Sequence, residues 1–329
     1  MNQKFWIIIF ICTSALAFVL VPLVLPEYYI GLVTRALILA ILAMSINLLL
    51  GHLGLASVGH GVFFGIASYT VAILTLRIGI TPWCAMGIAI LSAVIAAGLF
   101  GFLATRTKDI FFLAIMLAFC QVFYGISVSW KAVTGGYDGI PGLLRPRIIP
   151  GLNLEHTIPF YIFVLLVFMI ATGGFWILTN SPFGLTLKGI RDSETRMKVL
   201  GYNVWLYKYL AFIISGLIGG ISGILHAYYD GCPNPADFGI VRSSTALFMV
   251  ILGGPGILAG PVVGSIIIVF LQDLISNITD RWLMFLGGVY VVVVLLFPEG
   301  VLGGIKKKLD LSIGMKREAG LPISHLNGN

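Results

Sequence analysis

Residues 83–104 read WCAMGIAILSAVIAAGLFGFLA, a stretch of 22 residues without a charged side chain. An α-helix needs about 20 apolar residues to cross the hydrocarbon core of a bilayer, so this stretch predicts a membrane-spanning helix. Seven further runs have a similar composition: residues 5–25, 30–50, 55–76, 110–130, 158–178, 209–229 and 282–297. The chain is therefore predicted to cross a membrane many times.

The overall composition supports a membrane protein. Hydrophobic residues make up 59% of the chain and charged residues only 10%, with a mean hydropathy of +1.04. Soluble domains carry about 25% charged residues, so a soluble enzyme, a disordered chain and a disulfide scaffold are excluded. The four cysteines form no C-x-x-C pair, which predicts neither a metal site nor a redox pair. We attribute the net charge of +7 to loop placement and not to nucleic-acid binding.

The first run, residues 5–25, has two interpretations. Residues 15–17 read ALA after a short apolar core, which is typical of a signal-peptidase site. The apolar stretch nevertheless continues to Leu25, past the point where a signal peptide becomes polar. We therefore expect a membrane span here, with cleavage as the alternative.

Clustered cations predict the orientation of the chain. Arg106 and Lys108 separate the fourth and fifth runs, five cations fall within residues 188–208, and five more lie within residues 306–329. Loops rich in Lys and Arg stay cytoplasmic, so these regions are expected to share the cytoplasmic side with Lys4. Both termini are then cytoplasmic, and the loop 131–157 is periplasmic.

The stretch 243–271 is interrupted by GGPG at 253–256 and by GP at 260–261. Its apolar halves would reach only about 15 and 22 Å as helices. A single crossing would also place the basic tail outside, against the charge rule. The predicted fold is therefore an all-α polytopic transmembrane bundle with eight full spans plus a glycine-broken hairpin of short or re-entrant helices. The transmembrane domain covers residues 1–305, and residues 306–329 form a cytoplasmic basic tail.

A weak internal similarity links the two glycine-broken segments. Residues 50–55 read LGHLGL and residues 252–257 read LGGPGI, each between apolar runs. Broken helices in corresponding positions of two halves indicate a transport site. Chance similarity between glycine-rich membrane segments is the alternative, because only three or four positions agree.

Acidic residues are absent from the predicted membrane interior. All thirteen fall in predicted loops or at the ends of spans. Ion-driven transporters and pumps commonly keep an acidic or histidine relay inside the bilayer. We therefore expect energy for any transport to come from a partner protein, although backbone carbonyls at broken helices can also hold sodium.

A few polar side chains are predicted at membrane depth: Asn47, His52, Ser57, His60, Gln121 and His226. Ser57 and His60 are three residues apart, as a nucleophile and its base could be. The chain has no G-x-S-x-G motif and no orienting acid nearby, so catalysis is not expected. Interhelical hydrogen bonds and a hydrated pathway both stay open as roles for these residues.

The polar segment 181–208 predicts a short amphipathic helix on the cytoplasmic side. Ser181 suits the N-cap, Pro182 suits the first helical position, and Gly201 can end the helix. Apolar residues spaced by four, three and seven share one face: Phe183, Leu187, Ile190 and Met197. This face fits a groove in a partner protein, or it lies on lipid headgroups, which the surrounding basic residues favour.

Four stretches resemble landmarks of the permease subunits of bacterial ABC importers for branched-chain amino acids. They read NLLLGHLGLASVGH at 47–60, TGGYDG at 134–139, IRDSE at 190–194 with LGYN at 200–203, and VILGGPGI at 250–257. They follow the family's order over nearly the whole chain. The chain is similar to one of the two paralogous permeases that pair in such importers.

The resemblance implies that residues 188–203 dock on an ATPase. The candidate coupling residues in and around this helix are Phe183, Leu187, Ile190, Arg191, Asp192, Glu194, Met197 and Gly201. Arg196 and Met197 stand where the family usually has an alanine pair, so the fit to a particular ATPase is not implied. The candidate pathway residues are Asn47, Gly51, His52, Gly54, Ser57, His60, Gln121, Gly253, Gly254 and Gly256.

The predicted periplasmic loop contains Thr134, Gly135, Gly136, Asp138 and Gly139. One interpretation is contact with a periplasmic binding protein, or a position at the outer mouth of the pathway. The other is an ordinary turn, because Asp-Gly and Gly-Gly are common turn dipeptides.

The chain contains no G-x-x-x-x-G-K-[ST] motif, so other chains must bind the ATP. The resemblance implies two cytoplasmic ABC ATPase subunits, a second paralogous permease and a periplasmic substrate-binding protein, in the bacterial inner membrane. No catalytic residue, metal or cofactor is expected. Permeases for urea, amides or other amino acids are the nearest alternative. An ion-coupled secondary transporter, an intramembrane enzyme and a structural scaffold are the other rivals.

Overall fold

The computed structural model describes residues 18, 22, 25–107, 109–149, 152–279, 281–296 and 300–304. Most of the first predicted run, with its possible cleavage site at 15–17, lies outside the described residues. The predicted basic tail, 306–329, lies outside them as well.

The described part of the chain is almost entirely helical. Its first helices are α1 (Glu27–Asn47), which continues as a π-helical turn over Leu48–Leu53, α2 (Gly61–Leu76), α3 (Pro82–Ala104), α4 (Asp109–Ser129) and α5 (Lys131–Thr134). They are followed by α6 (Thr157–Asn180), α7 (Pro182–Asp192), α8 (Glu194–Val199), α9 (Val204–Asp230), α10 (Ile240–Gly253), α11 (Gly260–Ser276) and α12 (Trp282–Leu296). Short 3₁₀ turns cover Gly136–Asp138 and Pro235–Phe238, and β1 (Arg147–Ile149) pairs antiparallel with β2 (Leu152–Asn153).

Five described helices are long and apolar enough to cross a membrane: Glu27–Leu53, Pro82–Ala104, Ile110–Ser129, Thr157–Asn180 and Val204–Asp230. Three apolar helices are shorter: Gly61–Leu76, Ile240–Gly253 and Gly260–Ser276. Helix α12 has 15 residues. Apart from the short strand pair of β1 and β2, the described chain is a helical membrane protein, as predicted, but the count of eight full spans is not confirmed.

The third predicted run, 55–76, is helical only from Gly61. Gly54 adopts a left-handed φ of 81°, which ends the π-helical turn, and residues 54–60 follow without regular structure. The prediction of one continuous span is therefore wrong. A buried irregular segment and a buried helix have the same apolar composition, so hydropathy does not distinguish them.

Helix α9 lies at the centre of the bundle and packs against α1, α2 and α3. Small residues permit these contacts. A Cβ on Gly216 or Gly220 would overlap or crowd the methyl groups of Ala97 and Ala93 in α3, and one on Gly223 would overlap the backbone of Phe64 in α2. Close approach at small residues is the usual basis of helix association in lipid, where burial of apolar groups supplies little attraction.

Three of the other long helices form the rim of the chain, whereas α1 is buried inside it. Of the most apolar 18 residues of each helix, 94% are buried in Glu27–Leu53 but only 22% in Ile110–Ser129. Pro82–Ala104 and Thr157–Asn180 are also mostly exposed. Exposed apolar side chains on these helices are stable only against lipid or another membrane protein.

The two ends of the bundle differ. Helices α7 and α8 lie at one end, which we call the coupling end, beside the end of α1 and Gly54. The opposite end, which we call the far end, contains the start of α1 and the start of α6, joined by a hydrogen bond of 2.6 Å from the Thr157 hydroxyl to Glu27.

Two half-length helices start side by side inside the bundle. Helix α2 begins at Gly61, whose N–H donates to the Ser243 hydroxyl in the first turn of α10 at 2.8 Å. From this meeting point α2 runs to the far end, and α10 runs to the coupling end. Helix α10 then reverses at residues 254–259 into α11, and the two pack as an antiparallel hairpin against α1.

Candidate functional site

The glycine-broken segments meet at the coupling end. The Asn47 amide donates to the Ile257 carbonyl at 3.2 Å, and its oxygen accepts the Gly256 N–H at 2.8 Å. One buried side chain at the end of α1 thus uses both a donor and an acceptor to hold the loop between α10 and α11. We call this contact between residues 47–54 and 253–257 the glycine joint.

Glycines are required where the joint is closest. A Cβ on Gly51 would overlap the Gly256 nitrogen and the Asn47 amide oxygen. Likewise, a Cβ on Gly253 would overlap the Gly260 carbonyl. Gly254 and Gly256 have positive φ angles of 109° and 80°, which disfavour other residues. The candidates Gly51, Gly253, Gly254 and Gly256 are therefore together in the structure.

The joint is connected to helix α7. The Arg191 guanidinium donates to the Gly51 carbonyl, and the Arg191 side chain packs against Gly54, where an added Cβ would lie 3.0 Å from its Cγ. A Cβ on Gly256 would lie 3.6 Å from Arg191 Nη1. One arginine of the predicted coupling segment therefore reaches both broken segments.

His52 lies in the same turn and is buried. Its Nδ1 is 3.3 Å from the Asn47 carbonyl oxygen, and its ring packs edge-on against Phe175 of α6. These contacts hold the ring between α1 and α6. His52 therefore packs against the side of the glycine joint that faces α6.

The predicted coupling segment forms two helices, α7 and α8. The hydroxyls of Ser181 and Ser193 cap their first turns, accepting from Gly184 N–H at 3.4 Å and Arg196 N–H at 3.3 Å. Pro182 is at the first position of α7, and Gly201, with a φ of 86°, follows α8. Asp192 is exposed at the end of α7.

The apolar face of α7 is not free for a partner. Leu187 and Ile190 are buried against the chain's own bundle, Phe183 stacks on Tyr207 of α9, and Met197 packs on Gly189. Neither alternative for this face, a partner's groove or lipid headgroups, holds for Leu187 and Ile190, because this chain's own bundle buries both side chains. The exposed apolar residues of the segment are Leu185, Val199 and Leu200. Sequence analysis missed them, although Val199 and Leu200 stand out as adjacent apolar residues in a polar stretch.

Glu194 ties α8 to α9. Its carboxylate lies 2.7 Å from the Lys208 ammonium and 3.0 Å from that of Lys198. Burial raises the pKa of the Glu194 carboxyl, but the hydrogen bonds from Lys208 and Lys198 outweigh this effect and lower the pKa below its ordinary value.

Ser57 and His60 form part of a buried hydrogen-bond chain. His60 Nδ1 is 2.9 Å from the Ser57 hydroxyl, and Nε2 is 2.6 Å from the Ser215 hydroxyl of α9. Ser215 donates onward to the Ser45 carbonyl of α1 at 2.6 Å, so we infer that His60 donates through Nε2 and accepts from Ser57. This series of hydrogen bonds connects α1, α9 and the segment before α2, as interhelical hydrogen bonds do.

Gln121 does not join these residues. It is exposed on α4, while its neighbour Cys120 is buried with its sulfur 3.6 Å from the Ser243 hydroxyl and from the Val58 carbonyl. The structure therefore brings Asn47, Gly51, His52 and Gly54 to the joint, Ser57 and His60 to the bundle interior, and Gln121 to the rim.

Asp237 lies in the turn between α9 and α10, as expected for an acidic residue of this chain, but the turn is packed inside the bundle. Its 3₁₀ turn packs against α2, and its carboxylate accepts from the Ser68 hydroxyl at 3.1 Å. Ser68 is near the middle of the 16-residue α2, so Asp237 lies alongside the helix and is 1% exposed. Sequence analysis missed this, because the space for the turn depends on close packing of Phe238 against Gly65, which the sequence pattern does not show.

Arg242 and His226 lie beside Asp237. Arg242 Nη2 is 3.3 Å from its carboxylate and 3.0 Å from His226 Nε2, and His226 Nε2 is 3.6 Å from the same carboxylate. The Arg242 guanidinium also lies over the Phe64 ring, 5.4 Å from its centre. Because Arg242 carries a permanent charge, the contact between Asp237 and Arg242 is an ion pair inside the bundle.

The predicted periplasmic loop is a compact turn at the far end. Thr134 donates to the Ser127 carbonyl at 2.6 Å, and a Cβ on Gly135 would overlap the Gly139 carbonyl. Ile140 N–H donates to the Pro233 carbonyl at 2.9 Å, which fastens the loop to residues 231–239. Gly136 and Asp138 belong to the 3₁₀ turn, which presents Tyr137 with 71% of its surface exposed.

Together, mostly exposed apolar helices, interrupted helices and a joint tied to a polar helical segment define a membrane transport subunit. A family model described as "Branched-chain amino acid transport system / permease component" matches residues 28–295. The chain therefore belongs to this family of permease components.

Individual relatives agree with this assignment. The chain is 26% identical to the high-affinity branched-chain amino acid transport system permease protein LivM of Escherichia coli (strain K12), over 89% of this chain and 74% of LivM. It is 24% identical to a probable branched-chain amino acid transport permease protein LivM of Methanocaldococcus jannaschii, over 72% and 78% of the two chains. The autoinducer 2 import system permease protein LsrC of Escherichia coli O157:H7 is 25% identical over 60% and 57%. No solved structure matches the chain.

Proposed function

We propose that this chain forms half of the translocation pathway of an ATP-driven importer for branched-chain amino acids in the inner membrane of a bacterium. Its partners are two cytoplasmic ABC ATPase subunits, a second paralogous permease and a periplasmic substrate-binding protein. Family membership and the LivM relatives support the permease assignment. The contact of Arg191 with Gly51 is the observation that carries the mechanism.

In this proposal the ATPase binds to α7 and α8 and displaces them when it binds ATP. The exposed side chains of Leu185, Val199 and Leu200 are the docking contacts, because Leu187 and Ile190 already pack in the bundle. Because the apolar face of α7 is buried against the end of α1, the two move together. A displacement of α7 therefore moves the glycine joint. ATP binding then repositions residues 47–54 and 253–257 together.

The coupling end is the cytoplasmic end in this proposal. It carries Arg106, Lys188, Arg191, Arg196 and Lys198, as the preference for basic cytoplasmic loops requires. The far end, with Tyr137 exposed, then faces the periplasm and the binding protein.

Orientation is tested by labelling single cysteines in a variant without the four native ones. We expect an impermeant maleimide to label Tyr137→Cys from the periplasm of intact cells and Val199→Cys only after the membrane is opened. The reverse pattern would contradict the assignment of the two ends.

Function is tested by reconstitution in vesicles. Leucine uptake should require ATP, the second permease, the ATPases and the binding protein, and omission of any one component should abolish it. Uptake by this chain alone, driven by a sodium or proton gradient, would show a secondary transporter instead.

A second candidate cargo is a small polar solute other than a branched-chain amino acid. The similarity to an autoinducer 2 import permease shows that related chains belong to systems with different cargo. Urea, amides and other amino acids are the alternatives to measure in the same vesicles, and competition with labelled leucine ranks them.

A further inference from the structure

A cleft with an excess of positive charge lies at the coupling end, between the end of α3 and the start of α9. It has a volume of about 360 Å³ and is lined by Thr105, Arg106, Thr107, Glu194, Lys198, Trp205 and Lys208. Neither the glycine joint nor the exposed docking residues of α7 and α8 belong to it.

The charges of the cleft do not balance. Among the described residues that line the cleft, Glu194 is the one carboxylate, and it is shared between Lys198 and Lys208. The Arg106 guanidinium has no carboxylate partner among the described residues and instead lies 4.2 Å above the centre of the Phe102 ring. Three cations therefore face one anion, which favours a bound anion.

Trp205 adds an unused hydrogen-bond donor. Its buried Nε1–H has no acceptor within the described chain, although its ring is held by stacking on Tyr209 and by edge contact with Phe102. An indole N–H can only donate, so it requires an acceptor such as a phosphate oxygen. The Thr105 and Thr107 hydroxyls already donate to the Gly101 and Ala104 carbonyls, which leaves the cations and Trp205 as the donors.

The surface beside the cleft is apolar and exposed. On the last turns of α3, Leu99, Phe102 and Leu103 are exposed at 64%, 43% and 56% of their surface. An anion that binds in the cleft therefore lies next to a surface that suits acyl chains, at the level where helix ends meet lipid headgroups. Basic pockets between helices at this level hold acidic headgroups.

We propose that this cleft binds the phosphate of an acidic phospholipid, with Arg106 and Trp205 as the principal contacts. The bound headgroup lies against Glu194 and Lys198 of α8, so it touches the segment that moves the glycine joint.

The test titrates the full-length protein, stripped of lipid in neutral detergent, with phosphatidylglycerol or phosphatidylcholine. Native mass spectrometry counts the bound lipids. We expect tighter binding of phosphatidylglycerol, weakened about fivefold by Arg106→Gln, which removes one interfacial charge. Trp205→Phe keeps an aromatic ring and loses the N–H donor, so it should weaken binding about threefold.

Arg196→Gln is the matched control, because it removes an exposed arginine from the same end of the chain outside the cleft. It should leave binding unchanged, and Arg106→Lys should retain most of it. Equal losses in Arg196→Gln and Arg106→Gln would show a diffuse attraction and overturn the proposal. Equal binding of phosphatidylcholine would overturn it too.

Inorganic phosphate at millimolar concentration distinguishes the source of the anion. We expect it to leave bound phosphatidylglycerol in place, whereas full displacement would identify a free-phosphate site and overturn the lipid assignment. Unfolding temperatures equal to that of the unaltered protein show that each variant is folded. Should Arg106→Gln fail to fold, the comparison of Trp205→Phe with Arg196→Gln decides the matter.

Discussion

The Arg191 guanidinium of α7 donates a hydrogen bond to the carbonyl of Gly51, 140 residues away in the chain. The same Gly51 packs against Gly256, where no side chain would fit. A segment outside the apolar spans is thereby linked to two broken helices through one side chain. This arrangement allows a movement of α7 to alter the packing of α1 against the α10–α11 hairpin.

Arg191→Gln should uncouple ATP hydrolysis from uptake. The variant removes a charged hydrogen bond, typically worth about 1.5–3 kcal/mol, so we expect uptake per ATP hydrolysed to fall tenfold or more. Uptake and phosphate release are measured together in vesicles that contain all partners. Arg281→Gln, which removes an exposed arginine outside α7 and α8, is the control and should keep the normal ratio. An unchanged ratio in Arg191→Gln would show that the contact does not transmit force.

Gly51→Ala should destabilise the joint. The added methyl group would overlap the Gly256 nitrogen, and overpacking of this kind costs about 1–3 kcal/mol. We expect a lower unfolding temperature in detergent and loss of uptake. Gly87→Ala, where nothing lies within 4 Å of the new methyl group, is the matched control and should behave normally.

Asn47→Leu should separate the two broken segments. It leaves the Gly256 N–H and the Ile257 carbonyl without their partner, at a cost of about 1–3 kcal/mol for each buried group. Asn47→Asp loses the donor and also buries a carboxylate, because position 47 is 0% exposed, so its free energy of unfolding should fall at least as far as that of Asn47→Leu. Parent-like stability of Asn47→Leu would contradict the described hydrogen bonds.

Replacement of one residue of the Asp237–Arg242 pair should lower the free energy of unfolding more than replacement of both. Asp237→Asn leaves a partly buried guanidinium unpaired, and breaking such a pair costs about 3–5 kcal/mol. The double variant Asp237→Asn with Arg242→Met should recover part of this loss. A double-variant cycle of unfolding free energies measures the coupling, and purely additive losses would show that the pair is not coupled.

The anchoring of α8 should depend on pH. Because the pKa of Glu194 is lowered in the folded chain, its contribution to stability is present above the unfolded pKa. The contribution is lost as the pH falls through the folded value, when the carboxyl is protonated and releases Lys208 and Lys198. Unfolding temperatures recorded from neutral to acidic pH should show a smaller drop in Glu194→Gln than in the parent. The same pH dependence of the unfolding temperature in Glu194→Gln and in the parent would contradict this role of Glu194.

Hydropathy predicted the long helices well because lipid imposes the same requirement on every residue of a span. It failed at residues 55–60, which are as apolar as a helix but lack helical structure. The amphipathic pattern around Leu187 and Ile190 correctly indicated a buried face. It could not show that the face is buried by this chain and not by a partner.

Contacts between distant segments were largely beyond the sequence. The similarity of residues 50–55 and 252–257 pointed to two glycine-broken segments but not to their direct contact through Asn47. The position of Asp237 beside α2 depends on Gly65 and on a turn that follows α9, and composition gives no sign of either. Such placements depend on three-dimensional packing, which single-sequence patterns do not encode.

The adjoining starts of α2 and α10 also have an electrical consequence. Each helix start carries about half a positive charge from its aligned peptide groups, and both lie deep in the molecule near Gly61 and Ser243. If the pathway of the proposed importer passes these helix starts, they would repel protons and metal cations and would attract the carboxylate of a zwitterion. Such a pathway would favour an uncharged or dipolar cargo over a cation.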